Sequence, residues 1–107
     1  MGNVRMTQIT ALILRAVAAG YRYGFDVMEA CDLASGTAYP ALRRLERAGY
    51  LESRWEKADA AHSEGRPARR IYELTPEGAD ALAEAQARLE EARKRLGDLP
   101  PAPSGNA

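Results

Sequence analysis

The apolar positions in the first third of the chain recur at the spacing of short amphipathic helices. Residues 8–19 predict a helix with one apolar stripe, formed by Ile9, Leu12, Ile13, Ala16 and Val17. Thr7 is placed to cap the start of this helix, and Gly20 to end it. After a tight turn, a second apolar set predicts a shorter helix that begins at Phe25 and ends near Asp32. Two short helices in this order are typical of a helix-turn-helix domain.

A third helix is predicted to begin at Ser35, whose hydroxyl is expected to cap it. Gly49 is placed to end it, because glycine adopts a positive φ without strain. Pro40 fits this helix poorly, since proline removes a backbone donor and is tolerated only near a helix start. The predicted inward face contains Ala38, Leu42, Leu45 and Ala48, and the opposite side carries Arg43, Arg44 and Arg47.

After the third helix the pattern changes from helical spacing to alternation. Residues 51–56 and residues 69–74 each predict a strand. The segment between them, residues 57–68, is mostly polar or small. The three segments together predict a β-hairpin with a long tip.

A long last helix is predicted from its capping residues. Thr75 is the expected N-cap and Pro76 the first helical residue, and the helix is expected to reach about Leu96 and to end at Gly97. One face has spacings of three and four residues, which is a heptad seam of about two repeats, formed by Leu82, Ala85, Leu89, Ala92 and Leu96. A helix of about 20 residues is about 30 Å long, too long to be buried wholly on a small domain. This seam therefore predicts a surface for self-association.

The order of these elements predicts a mainly α fold with a small β-hairpin: a winged helix-turn-helix followed by a long C-terminal dimerisation helix. Residues 1–75 are expected to form the DNA-binding domain, residues 76–97 the dimerisation helix, and residues 98–107 a disordered tail rich in Pro, Gly and Ser. In such a domain the third helix enters the major groove of DNA, and the hairpin forms the wing.

The distribution of charges along the chain changes what the net charge implies about nucleic-acid binding. The chain has 107 residues, with 15 basic and 15 acidic residues. A net charge of zero argues against a nucleic-acid binder. The charges are segregated, however, because residues 35–72 hold eight basic and five acidic residues, and residues 73–107 hold four basic and seven acidic. The positive part coincides with the third helix and the hairpin.

Several classes of site are made improbable by what the chain lacks. One cysteine, Cys31, excludes an internal disulfide and a multi-cysteine zinc site, and a lone thiol suits a reducing cytoplasm. One histidine, His62, argues against a histidine metal cluster or a conventional catalytic triad. No apolar run approaches the ~18 residues of a membrane span. We therefore expect a cytoplasmic protein without metal, cofactor, membrane partner or enzymatic activity.

Two blocks of the sequence resemble the PadR-type winged-helix transcriptional regulators. The first block, residues 36–55, matches at Gly36, Tyr39, Pro40, Leu42, Leu45, Glu46, Gly49, Leu51 and Trp55. The second block, residues 65–78, matches at Gly65, Arg66, Pro67, Arg69, Arg70, Tyr72, Leu74, Thr75 and Gly78. The pair Tyr23 and Gly24 also fits. The resemblance also supports Pro40 inside the recognition helix.

The resemblance implies a homodimeric regulator, usually a repressor, that dimerises through its C-terminal helix packed with its first helix. In some members a flat ligand between the subunits releases the DNA, so a small hydrophobic or aromatic effector is a further expected partner. Those multidrug-binding members use a tryptophan in the last helix. The only tryptophan here is Trp55, in the hairpin, which argues against an aromatic sandwich of that kind.

Eight residues are the candidate contacts to double-stranded DNA: Ser35, Thr37, Tyr39, Arg43, Arg44, Arg66, Arg69 and Arg70. Hydroxyl and N–H groups at a helix start suit a phosphate oxygen. An arginine on the third helix can bind guanine in bidentate geometry, and wing arginines can reach the minor groove. The alternatives are helix capping, core packing and a solvated face with local ion pairs. Arg47 is expected to be solvated, or at best a backbone contact.

Eight further residues are the candidate dimer interface: Ile9, Leu12, Ile13, Leu82, Ala85, Leu89, Ala92 and Leu96. A two-fold dimer would present two recognition helices to successive major grooves, which suits a palindromic operator. The alternative function is a winged-helix protein-interaction module without DNA binding, because several acidic residues lie around the wing. Tyr50, Trp55 and Tyr72 are expected to pack in the hairpin and core.

Overall fold

The computed structural model describes residues 6–57, 61 and 63–103, and the statements on structure below concern this part of the chain. It contains α1 (Gln8–Ala18), α2 (Gly24–Ala30), α3 (Ser35–Arg47), β1 (Leu51–Trp55), β2 (Arg70–Leu74) and α4 (Pro76–Asp98). This order confirms the predicted mainly α fold with a small hairpin and a long last helix. His62 and the end of the predicted tail, residues 104–107, lie outside the described residues.

The ends of the helices are fixed by local backbone chemistry. Thr7 caps α1 in a capping box with Thr10. At the end of α3, the amide of Gly49 donates to the carbonyl of Glu46 and the amide of Tyr50 to that of Leu45, each at 3.0 Å. These two bonds form a Schellman motif, which requires the positive φ of +85° at Gly49. The predicted N-cap of α1 and the predicted C-terminal end of α3 are thus confirmed.

Pro40 lies inside α3, as the family resemblance implied. Two details of the predicted helices are wrong. The N-cap of α3 is Ala34 without a side-chain bond, and Ser35 is already the first helical residue. Gly97 does not end α4; the helix reaches Asp98, and Leu99 takes an extended conformation because it precedes a proline.

The hairpin is a two-stranded antiparallel sheet whose register pairs Leu51 with Leu74 and Trp55 with Arg70. A backbone segment before α2 extends it. Tyr23 forms an isolated bridge with Ile71, and the amide of Tyr72 donates to the carbonyl of Arg22 at 2.8 Å. The sequence pattern predicted only a turn here. The bridge attaches the hairpin directly to the start of α2.

The core lies between α1, α2, α3, the hairpin and the first half of α4. Its fully buried side chains include Ile13, Leu14, Val27, Leu42, Leu45 and Leu51. Leu82 packs against this core, and Ala85 is also buried. Three residues of the predicted dimer interface, Ile13, Leu82 and Ala85, are buried within one chain. A contact of these residues with a second copy stays a prediction.

Gly78 offers a test of how tightly α4 is seated. A Cβ added there would collide with the carbonyl oxygen of Tyr50 and lie 2.9 Å from Leu74 Cδ1. We expect Gly78→Ala to lower the free energy of unfolding by about 1–3 kcal/mol, because backbone cannot give way as a side chain does. Thermal and urea unfolding followed by circular dichroism measure this.

Gly97→Ala is the matched control. A Cβ at Gly97 meets nothing within 4 Å, and alanine favours a helix over glycine by about 0.5–1 kcal/mol. This variant should therefore be neutral or slightly more stable. Equal stability of Gly78→Ala and the native chain would contradict the packing described here.

Candidate nucleic-acid interface

One side of α3 faces away from the protein body. Its buried residues are Ala38, Ala41, Leu42 and Leu45, each fully buried. At about 100° per residue, the opposite side of the helix carries Gly36, Pro40, Arg43 and Arg47. We call these four residues the outer line of α3. Small or compact side chains near the helix start, followed by two arginines, suit close approach to a groove with cations further along.

Both arginines predicted to read bases are exposed. Arg43 lies on the outer line, and Arg44 lies beside it on the flank of the helix. Within the described part of the chain, neither forms a hydrogen bond or an ion pair, so both guanidinium groups are available to a ligand. Arg47 also lies on the outer line and is exposed. The sequence pattern placed it on the polar side but did not make it a candidate.

The start of α3 carries the three predicted hydroxyl contacts. Ser35 and Thr37 are exposed in the first turn, where the amide of Thr37 donates to the carbonyl of Ala34 at 3.0 Å. Tyr39 is half-buried and packs on α2: a Cβ at Gly24 would lie 2.8 Å from its ring carbon Cε1. The ring also borders a cleft between α2 and the hairpin, together with Trp55 and Arg70. Tyr39 thus combines a packing role with access to that cleft.

In the described part of the connection between the strands, residues 56–57, 61 and 63–69, the contacts centre on one carboxylate. We call this segment with β1 and β2 the wing. Glu56 is nearly buried, its side chain being 7% exposed. Its two carboxylate oxygens accept hydrogen bonds from both terminal nitrogens of Arg66, one at 2.9 Å, and from the backbone amide of Arg69 at 3.1 Å. The hydroxyl of Tyr23 approaches the same carboxylate at 3.4 Å.

Arg66 is consequently held within the protein. Besides its two bonds to Glu56, its Nε donates to Glu64 at 2.9 Å and a terminal nitrogen to the carbonyl of Pro67. Its side chain is only 22% exposed. The sequence predicted a contact to DNA here. In the structure these bonds hold its guanidinium within the wing, and a contact of Arg66 to DNA stays a prediction.

Arg69 and Arg70 have different aromatic partners, and both border the cleft between α2 and the hairpin. The guanidinium of Arg69 stacks over the ring of Tyr23, with its carbon 3.6 Å from the ring centroid. Its Nε lacks a hydrogen-bond acceptor among the described residues. Arg70 donates through Nε to the hydroxyl of Ser53 at 2.8 Å and lies over the ring of Trp55 at 5.1 Å. Arg69 is therefore oriented by stacking, and its Nε lies 3.9 Å from a carboxylate oxygen of Glu56, within ion-pair distance.

The aromatic predictions hold only in part. Tyr72 is buried, as expected for a core residue, and Tyr50 is half-buried. Trp55 was predicted to pack in the hairpin, but 62% of its surface is exposed at the end of β1. Together with the half-exposed Phe25 it borders the cleft that contains Arg69 and Arg70. The cleft is thus an aromatic and cationic surface between α2, α3 and the wing.

The contacts of the Glu56 carboxylate predict how the stability of the protein changes at low pH. Its hydrogen bonds from Arg66, reinforced by Arg69, lower the pKa of Glu56 from 4.5 to about 2. A carboxyl with a lowered folded-state pKa stabilises the protein above its unfolded pKa and loses this contribution as pH falls. We expect the stability difference between the native chain and Glu56→Gln to be constant above about pH 5 and to disappear as pH approaches 2. Urea unfolding midpoints at each pH measure it.

A stability difference that changes between pH 6 and 8 would contradict this assignment, as would one that persists undiminished at pH 2. Glu52→Gln serves as control. Glu52 is exposed on β1 and has no hydrogen bond or ion pair within the described residues, so its replacement should leave the pH profile of stability unchanged.

Other kinds of site find little support in the described residues. They contain no group of three or more His, Cys, Asp or Glu side chains that could hold a metal ion. None of their helices combines the length and apolar character that a membrane crossing requires.

Comparison with known proteins identifies the family. Residues 13–84 match the model of the transcriptional regulator PadR-like family. The chain is 44% identical over 77 residues to the transcriptional regulator Rv3488 of Mycobacterium tuberculosis. That alignment covers 71% of this chain and 61% of the relative, so the chain matches less than two thirds of the relative's length.

Solved structures share the fold. A PadR family transcription regulator from Clostridium difficile superposes with a TM-score of 0.76 at 24% identity, over 86% of this chain and 97% of that one. The protein smu.1704 from Streptococcus mutans superposes with a TM-score of 0.70 at 26% identity, over 83% and 82% of the two chains. The matched segment contains α2, α3, the wing and the first half of α4, and the chain therefore belongs to the PadR-like family of transcriptional regulators.

Proposed function

We propose that the protein is a homodimeric repressor that binds a palindromic operator through α3 and the wing. The observation that carries the proposal is the outer line of α3, where Arg43 and Arg47 are exposed and have no ion-pair partner among the described residues. In winged helix-turn-helix proteins this helix enters the major groove. Repression would follow from blocking access to the promoter.

The eight candidate contacts divide by their surroundings. Arg43 and Arg44 are proposed to read base edges, because a guanidinium binds guanine O6 and N7 in bidentate geometry. Ser35 and Thr37 are proposed to bind a phosphate at the start of α3. Arg69 is proposed as the wing contact to the backbone or minor groove, with Tyr39 and Arg70 bordering the same cleft. Arg66 acts inside the wing.

The exposed half of α4 supports the dimer. Leu89 is 55% exposed and Leu96 is 78% exposed, although both continue the face that packs Leu82 against α1. Leu12 of α1 is 40% exposed and borders a groove together with Leu89. We propose that Ile9, Leu12, Leu89, Ala92 and Leu96 meet the same residues of a second copy across a two-fold axis.

An effector site is proposed at the same place. The groove between α1 and α4 is lined by Leu12, Leu82 and Leu89, with Arg15 and two glutamines at its edge. A small hydrophobic effector bound there would change the angle between the two DNA-binding domains and release the operator. The proposal includes a cytoplasmic location, where the DNA is.

Fluorescence anisotropy tests the proposal. The purified protein is titrated against a labelled duplex from upstream of its own gene, and against a scrambled duplex of the same composition, at several salt concentrations. The proposal predicts tighter binding to the upstream duplex and a steep fall of log K with log salt. Absence of binding to every duplex at low salt would favour the protein-interaction module instead.

A further inference from the structure

The wing contains a carboxylate whose contacts are directed inward, although it lies in the region proposed to bind a polyanion. An acidic residue beside a phosphate backbone normally weakens binding, because it repels the phosphates. Glu56 is buried and saturated with donors: both terminal nitrogens of Arg66, the amide of Arg69 and the hydroxyl of Tyr23. Its charge is therefore neutralised within the protein.

The same contacts connect three separate parts of the chain. Tyr23 precedes α2, Glu56 directly follows β1, and Arg66 belongs to the tip of the wing. The amide of Glu56 also donates to the carbonyl of Arg69 at 2.7 Å, and Arg69 donates back through its own amide to the carboxylate. This double link fixes the backbone of Arg69, while stacking on Tyr23 fixes its side chain. Both links depend on the position of Glu56.

We propose that Glu56 is a positioning residue for DNA binding, which clamps the wing internally through Arg66 and to the start of α2 through Tyr23. It thereby holds Arg69 in place for the phosphate backbone. This inference rests on the proposed function. It explains why an acidic residue lies in the proposed binding region. It also makes Arg66 a residue that supports the wing instead of one that contacts DNA. Glu56 itself would not touch the DNA.

The inference predicts a change in DNA affinity that is opposite to the change expected from charge alone. Glu56→Gln removes a negative charge, and simple electrostatics would then strengthen DNA binding. Loss of the clamp would instead free the wing, so affinity for the upstream duplex should fall at least about fivefold. If one phosphate contact is lost from each wing of a dimer, the slope of log K against log salt should become shallower by about 2.

Glu52→Gln is the matched control, because it removes the same charge from the strand that precedes Glu56 without breaking a contact within the described residues. It should bind DNA as tightly as the native chain, or slightly more tightly. Circular dichroism establishes that each variant is folded at the temperature of the titration. A reduced folded fraction would lower K by the same factor at every salt concentration and leave the slope unchanged, which separates positioning from a loss of stability.

A second measurement does not need DNA. Trp55 is the only tryptophan of the chain and lies next to Glu56 in the wing, so its time-resolved anisotropy reports local motion there. The inference predicts faster depolarisation in Arg66→Gln and in Glu56→Gln than in Glu52→Gln. The double variant Glu56→Gln/Arg66→Gln should be no more mobile than either single variant, because all three break one clamp.

The outcomes separate this inference from the proposed function. If the native chain binds DNA and Glu56→Gln binds equally or more tightly with an unchanged salt slope, the inference is overturned and the proposed function stands. If the native chain binds no DNA, the proposed function fails and the role of Glu56 in DNA binding fails with it. In that case, faster motion of Trp55 in the variants would still support the structural clamp in the wing, but not a role of Glu56 in DNA binding.

Discussion

Replacement of Arg43 by alanine should lower the affinity for the operator about 30-fold or more, with a much smaller loss on scrambled DNA. Arg43 lies on the outer line of α3 and has no partner within the described residues. A bidentate contact to guanine contributes ~1–3 kcal/mol of discrimination. A two-fold dimer makes this contact twice, so the two losses together are about 2–6 kcal/mol. Anisotropy titrations on both duplexes measure the effect.

Lys94→Ala is the control for loss of one positive charge. Lys94 is exposed on α4, far along the chain from the recognition helix, and should change the affinity less than about twofold. An equal loss on operator and scrambled DNA for Arg43→Ala would assign Arg43 to phosphate binding. No loss on either duplex would mean that the outer line does not enter the groove.

Replacement of Leu89 by aspartate should convert the dimer into monomers at micromolar concentration. Burying a leucine side chain contributes ~1.5–3 kcal/mol, and the two-fold interface contains two copies. Their loss alone raises the dissociation constant about 100-fold or more, and two buried carboxylates would raise it further. Sedimentation velocity measures the association state, and the affinity for the operator should fall in parallel.

Ala87→Asp is the matched control on the same helix. Ala87 is also exposed, but two residues of helix turn it about 160° away from Leu89. This variant should remain dimeric. A Leu89→Asp variant that sediments like the native dimer would exclude this face of α4 as the interface, and a native chain that is monomeric would exclude the dimer altogether.

The periodicity of the sequence was sufficient to predict the helices and strands and to identify α3 as the recognition helix. Amphipathic spacing predicted α1, α3 and α4, because each helix has an apolar stripe that packs, wholly or in its first half, against one core. Gly49 was predictable as a helix end, since a Schellman motif needs a positive φ. The exposure of Arg43 followed from the same spacing, because it lies opposite the apolar face.

Contacts between distant segments could not be predicted in this way. The bridge between Tyr23 and Ile71 involves a single residue pair, which has no periodic signature. The pairing of Glu56 with Arg66 depends on how the wing folds back, and charge alone suggested that Arg66 faced DNA. The heptad seam of α4 likewise does not distinguish packing within a chain from packing between chains. Leu82 packs within the chain, and Leu89 is left exposed.

Hydroxyl-radical footprinting of the upstream duplex tests the central claim most directly, because it reports where the protein covers the DNA backbone. A two-fold dimer with one α3 and one wing on each side should protect two symmetric regions, with centres about 34 Å or one helical turn apart. Arg43→Ala at matched concentration should weaken both regions together. A single unpaired region of protection, or none at concentrations that saturate the anisotropy signal, would contradict the account.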